Sequence, residues 1–171
     1  MKSKRLLLSF IVTCVLVMSM ATPMFAATTA DINVSATPSF VSISCNKATY
    51  DFGVIAASST TNTSGEGGWG GITNLSTVQT DQTISVTTAT WGSAGVEWTH
   101  SDTATIGEDT AGLKAWDGSA WVIVKNADPN FIRENLAALT DYTFGLSLLA
   151  PSSFTDGVAK SIIVRITAAA G

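Results

Sequence analysis

The chain of 171 residues contains a single histidine, and a search for catalytic chemistry starts there. His100 lies in the stretch EWTHSD, between Glu97 and Asp102. A hydrolytic triad needs a base beside its nucleophile, and no other imidazole is present to serve as one. A lone histidine on a strand or turn is more often solvated or hydrogen-bonded by a neighbour than catalytic. The sequence therefore predicts a protein that is not an enzyme and has no catalytic residue.

Metal and cofactor sites find little support in the residue types. One histidine and one cysteine outside the first 26 residues, Cys45, cannot supply the four ligands of a zinc site. Asp102, Glu108 and Asp109 fall in one predicted loop, but they lack the alternating carboxylates and the bidentate Glu of a calcium loop. We predict no metal and no cofactor. The favoured interpretation of residues 102–109 is a solvated acidic loop, and calcium binding by this loop is left open.

Five tryptophans are the most suggestive side chains for binding, and all of them follow residue 26. Exposed aromatic rings on a β-sandwich can stack on sugar rings. The alternative is that Trp91, Trp98 and Trp121 fill the core. Trp69 stands in a glycine-rich stretch that offers it little cover, so we predict it to be exposed. Trp69 and Trp116 are the predicted contacts for a ligand or a partner.

The first 26 residues have the order of a secretory signal peptide. Lys2, Lys4 and Arg5 form a basic start, an apolar run extends from residue 6 to 20, and the segment ATPMFA ends in Ala26. We predict cleavage after Ala26, which leaves a secreted chain, extracellular or on the cell surface, without a membrane span. An uncleaved signal anchor is the alternative.

The charge of the remaining chain argues against a nucleic-acid partner. Residues 27–171 carry six basic and thirteen acidic side chains, and the basic ones are scattered singly. Binding to phosphates needs clustered Lys and Arg. With one cysteine the exported domain has no internal disulfide, so its stability must come from its core. Cys45 alternates with Val41 and Ile43, which predicts a small buried side chain.

Alternating apolar residues dominate the chain after the leader and predict an all-β fold. Asp117-Gly118 separates residues 113–116 from 120–124 and suits a tight hairpin turn. Near the end, residues 142–148 and 162–166 both alternate, and we expect them to pair antiparallel. Asp128 and Pro129 resemble a helix start, so one or two helical turns are predicted within 128–139. The Gly/Ser/Thr-rich stretch 58–71 is predicted to be a flexible loop.

The stretch LAALTDYTFGL at 136–146 resembles the tyrosine corner of fibronectin type III and related Ig-like domains. In those domains a Leu lies six residues before a Tyr, as Leu136 and Tyr142 do here, and the Tyr hydroxyl bonds to backbone a few residues upstream. The segments YDFGVI at 50–55 and ITNLS at 72–76 resemble the opening strands of Ig-like domains of the abnormal-spindle and hydin type.

These resemblances imply a single Ig-like Greek-key β-sandwich of about seven to nine strands over residues 27–171. Domains of this kind serve mostly as structural, adhesive or assembly modules, which is an inference by analogy of fold. The leading hypothesis is a secreted, non-catalytic structural or adhesive protein of the cell surface or of an extracellular assembly. A carbohydrate-binding module that uses exposed tryptophans is the alternative.

Residues 27–37 (ATTADINVSAT) have the pattern of a detachable edge strand. Ile32 and Val34 alternate with polar residues, and Pro38 follows. An extended segment of this kind can complete the open sheet edge of a neighbouring molecule. We therefore expect a protein partner or self-association through an edge strand, with a glycan as a second kind of partner. Pairing within the same domain, or a disordered tail, is the alternative.

Overall fold

The computed structural model describes residues 35–36, 38–63, 69–126 and 128–171. Residues 38–171 form one compact unit. Twelve strands and no helix occur in the described part, so the predicted all-β fold is confirmed, with more strands than the seven to nine expected. The predicted leader at 1–26 lies outside the described residues. The strands are β1 Ile43–Cys45, β2 Thr60–Asn62, β3 Gly70–Asn74, β4 Thr80–Val86, β5 Thr90–Trp91, β6 Trp98–His100, β7 Thr110–Trp116, β8 Trp121–Ile123, β9 Asn130–Leu136, β10 Asp141–Phe144, β11 Leu146–Leu149 and β12 Val164–Ala170.

The strands form three sheets that pack around one apolar core in a sandwich-like arrangement. The first sheet has the order β1-β3-β10, and the third has the order β12-β4-β9. The second and largest sheet has the order β2-β11-β7-β6-β5, with β8 paired to β7 as well. All ladders between named strands are antiparallel except that between β6 and β7.

Strand β4 shows how the alternating pattern builds the core. Its residues alternate strictly between buried and half-buried, and Ile84 and Val86 are almost fully enclosed. β12 and β9 pair with its two edges, so β4 is the central strand of its sheet. A two-residue period places every second side chain on the core face, which is why the alternation in the sequence located this strand.

The predicted hairpin around Asp117-Gly118 is confirmed. β7 and β8 pair antiparallel, with Trp116 opposite Trp121. Gly118 has a φ of +98°, which L residues rarely adopt, and Asp117 accepts the backbone N–H groups of Ser119 and Ala120. Desolvation raises the pKa of Asp117, but these hydrogen bonds outweigh it and hold the pKa below its ordinary value.

The prediction of one or two helical turns within 128–139 is wrong, because residues 130–136 form β9, which pairs with β4. Ile132 and Leu136 are its buried anchors, and a four-residue spacing fits one face of a helix and one face of a strand equally well. The β4–β9 register shifts twice, and Asn135 has a φ of 56°. Both anchors pack on the core side while β9 pairs with β4, and this packing overrides the local helix signal.

The predicted pairing of the last two strands is also wrong. Residues 142–148 do not form one strand: the chain changes sheets at Gly145, between β10 and β11. β12 pairs with β4 instead, from Val164 opposite Val86 to Ala170 opposite Thr80. The alternation identified strand segments, but the choice of partner depends on packing between distant parts of the chain.

Three smaller expectations also change. Residues 50–55, whose sequence resembles an opening strand, form no strand, since none lies between β1 and β2. The stretch 58–71 is not a continuous loop, because β2 lies within it and β3 begins at Gly70. Residues 64–68 lie outside the described part. Cys45 is exposed rather than buried, because β1 is the edge strand of its sheet and its only described ladder is with β3.

Candidate functional site

His100 lies inside the molecule and is held by two hydrogen bonds. Its Nε2 is 2.8 Å from the carbonyl oxygen of Val124, and its Nδ1 is 3.2 Å from the indole Nε1 of Trp91. A carbonyl only accepts and an indole N–H only donates, so the partners fit the neutral ring with its proton on Nε2. The imidazole is therefore satisfied by neighbours and buried, as is typical of a structural histidine.

The carboxylates of the acidic loop 102–109 are used to brace the loop. Asp102 accepts the backbone N–H of Asn126, and Asp109 accepts the hydroxyl and the backbone N–H of Thr155. Glu108 is exposed. In the described ranges no three His, Cys, Asp or Glu side chains come together in a group that could hold a metal ion.

The tryptophans occupy two regions. Trp91 and Trp98 are buried in the core, and Trp69 is half-buried rather than exposed, in edge-to-face contact with Tyr50 and Phe144. Trp116 and Trp121 form a half-buried edge-to-face pair on the β7–β8 hairpin, with ring centres 5.5 Å apart. The two predicted contact residues, Trp69 and Trp116, therefore belong to separate aromatic clusters.

Tyr142 packs beside the second of these clusters. Its hydroxyl donates to the backbone oxygen of Trp116 at 2.7 Å, 26 residues upstream. The local hydrogen bond of a tyrosine corner is thus replaced by a bond to the β7–β8 hairpin. Leu136 is buried at the end of β9. Burial raises the pKa of Tyr142 to about 12, the Asp117 charge adds to this, and Arg133 opposes it.

Tyr142→Phe is expected to lower the free energy of unfolding at pH 8 by about 1 kcal/mol, because the backbone oxygen of Trp116 loses its donor. The difference in unfolding free energy between the wild type and Tyr142→Phe should become smaller as the pH rises from 10 toward 12. In that window the wild-type tyrosine ionises in the unfolded chain before it does in the folded one, so the stability it contributes below pH 10 is lost. Denaturant titrations of both proteins at several pH values measure this, and a constant difference would contradict the assignment.

The described part of the molecule contains an open, mainly apolar cleft of about 720 Å³. Two irregular segments, residues 47–55 and 156–163, form its walls. Its floor consists of inward-facing side chains of the second sheet and neighbouring aromatic rings: Trp69, Trp91, Trp98, Leu113, Leu146, Leu148 and Phe154. The cleft therefore opens onto the apolar core.

The main ion pair in the cleft is between Lys160 and Asp156. The Lys160 ammonium lies 2.6 Å from the Asp156 carboxylate and 5.8 Å from the centre of the Trp98 ring, and the side chain of Lys160 is almost fully enclosed. The hydrogen bond from Lys160 and one from the backbone of Val158 lower the pKa of Asp156. The two charges of this pair offset each other. Most of the other side chains that line the cleft are apolar.

One rim of the cleft is the edge strand β12, whose half-buried Val164 and Ile166 belong to the lining. Two backbone hydrogen bonds at the ends of the β12–β4 ladder show which residues of β12 bond to β4. The N–H of Thr87 donates to the carbonyl oxygen of Ile163, and the N–H of Gly171 donates to that of Gln79. By the two-residue alternation, odd-numbered residues of β12 face β4. The N–H and C=O groups of the even-numbered residues, 164 to 170, point to the other edge, where no described strand pairs with them.

The sequence patterns did not reveal this cleft. Its two wall segments have no regular period, and its floor is assembled from residues of β5, β6, β7 and β11 and from separate loops. One sequence feature pointed toward it: the side chains of β12 alternate, and its inward-facing positions carry neither a charge nor a proline, which edge strands commonly use to prevent pairing.

Comparisons of the chain with protein-family models, with curated proteins and with solved structures find no match. In the described ranges no helix has the length and apolar character needed to cross a membrane.

Proposed function

We propose that this chain is an exported, non-catalytic β-sandwich of the immunoglobulin-like type that serves as a structural or adhesive protein of the cell surface or of an extracellular assembly. The basic and apolar leader at 1–26 supports export. The sandwich-like packing of the sheets supports the fold type, together with the resemblance at 72–76, where β3 lies.

The observation that carries the proposal is the open apolar cleft beside the unpaired edge of β12. Open backbone donors and acceptors next to an apolar groove are the features that bind an extended peptide segment. A structural or adhesive protein needs a surface of this kind for its contacts. His100, which is committed to Trp91 and Val124, supports a role without catalysis.

Export provides the first test. When the full chain is expressed in a bacterial host, the protein should be recovered outside the cytoplasm with its N-terminus at Ala27, as determined by mass spectrometry. A variant lacking residues 2–26 should remain in the cytoplasm, because the apolar run that engages the export machinery is missing. Protein retained in the membrane with Met1 intact would refute the predicted processing.

A carbohydrate-binding module is the second candidate, and the half-buried pair Trp116 and Trp121 on the β7–β8 hairpin favours it. Partly exposed indole rings can stack on sugar rings. Titration with a panel of polysaccharides, followed by tryptophan fluorescence, tests this function. Saturable quenching that disappears in Trp116→Ala would put carbohydrate binding ahead of the structural role, and the absence of quenching by every polysaccharide would count against it.

A further inference from the structure

We propose that the cleft and the open edge of β12 accept residues 30–37 of a second copy of this chain as an added strand. This inference rests on the proposed structural function and names its partner. The inserted strand would pair with the backbone of β12 and place its apolar side chains on the floor of the cleft.

The acceptor is complete on one molecule. Four residues of β12, Val164, Ile166, Ala168 and Ala170, point their backbone N–H and C=O groups away from β4. The side chains of the first two line the cleft, and Leu113 and Leu148 of the second sheet lie on its floor. An edge strand of seven residues with one charge and no proline invites pairing unless something covers it.

The segment before Pro38 has the matching pattern. Residues 30–37 read ADINVSAT, so Ala30, Ile32, Val34 and Ala36 share one face of an extended strand and polar residues share the other. Eight extended residues span about 26 Å, enough to cover the roughly 23 Å of the seven residues of β12. The apolar face would enter the cleft while the polar face remains in solvent.

A second copy is favoured over the same molecule by the position of the following residues. The backbone N–H of Phe40 donates to Thr77, and Ser42 exchanges hydrogen bonds with Ser76, before β1 pairs with β3. These contacts anchor the chain just after Pro38 near the C-terminal end of β12, because Thr77 lies two residues before Gln79, whose carbonyl accepts the N–H of Gly171. From there the molecule's own segment could cover β12 only as a parallel strand, whereas a segment of a second copy can enter antiparallel, as β4 does, and antiparallel pairing is the more stable per residue. Proline disfavours the helical conformation of the residue before it, so the sequence predicts an extended approach to Pro38.

A contact between the N-terminal segment of one molecule and the cleft of the next is head-to-tail. In a row of such contacts one terminal molecule keeps an unused segment and the other keeps an empty cleft, so the contact can repeat without closing and builds a filament. Growth would stop at any molecule that lacks either half of the contact.

The test uses two variants of the full chain, each of which removes one half. Ile32→Asp with Val34→Asp places charges on the apolar face of the segment, outside the compact unit 38–171. Ala168→Pro removes one N–H from the open edge of β12 and spares the bonds to β4, a position where an edge strand tolerates proline. Asn33→Asp with Ser35→Asp is the matched control, because it adds the same charge to the polar face.

Light scattering over a range of concentrations should show chains for the wild type and the control, and monomers for each disabled variant. Equal amounts of the two disabled variants should form only 1:1 dimers, because one retains the cleft and the other the segment. Near-UV circular dichroism of the tryptophans checks that Ala168→Pro is folded. Should it be unfolded, a synthetic peptide of residues 27–37 replaces it and must bind the variant with the charged segment.

Wild-type protein that remains monomeric at every concentration, or a folded mixture that yields no dimer, would overturn the inference. Both results would also follow if the segment pairs within its own molecule. The outcome is separable from that of the proposed function: exported protein that remains monomeric contradicts only the inference, and assembling protein that remains in the cytoplasm contradicts only the export.

Discussion

Asn74→Ala is expected to lower the free energy of unfolding by about 4 kcal/mol, the largest loss we predict for a single polar side chain. Asn74 is fully buried at the end of β3. Its amide nitrogen lies within 3.2 Å of the carbonyl oxygens of Val78, Leu136 and Ala137, and its oxygen accepts the N–H of Ser76. The one side chain thus joins the β3–β4 connection to the end of β9, and its removal leaves several buried backbone groups without partners.

Two further variants make this prediction specific. Asn74→Asp keeps the shape but cannot donate when ionised, so it should be at least as destabilising as alanine. Asn62→Ala, on the exposed strand β2, should change the stability by less than about 0.5 kcal/mol. Urea titrations of the three variants and the wild type measure these differences. An aspartate variant as stable as the wild type would show that the donated bonds do not hold the two segments together.

His100→Ala is expected to cost about 3 kcal/mol, because two buried hydrogen bonds are lost and a cavity opens beside Trp91. The indole N–H of Trp91 and the carbonyl oxygen of Val124 would both lose their partner. Thr99→Ala, an exposed neighbour on β6, is the control and should have little effect. Chemical denaturation followed by tryptophan fluorescence reports the change, and a His100→Ala protein of unchanged stability would refute the structural role of the imidazole.

The environments of some candidate site residues could be predicted from the sequence, and those of others could not. The scarcity of histidine and cysteine already argued against zinc and triad chemistry, and the structure places His100 among partners that occupy both ring nitrogens. The burial of Trp91 and Trp98 was among the expected alternatives. The partner of Tyr142 was not, because its bond to Trp116 spans 26 residues and depends on where the β7–β8 hairpin packs.

The strand-rich character of the chain, the β7–β8 hairpin and the alternation of strands such as β4 could be predicted from the sequence, because side-chain period and turn chemistry are local properties. Three features could not: residues 130–136 form a strand, β12 pairs with β4 rather than with residues 142–148, and Cys45 is exposed. The open edge of β12 and the cleft beside it could not be predicted from the sequence either. Partner choice and burial depend on packing between residues far apart in the chain, about 80 positions apart for β4 and β12, and no local period carries that information.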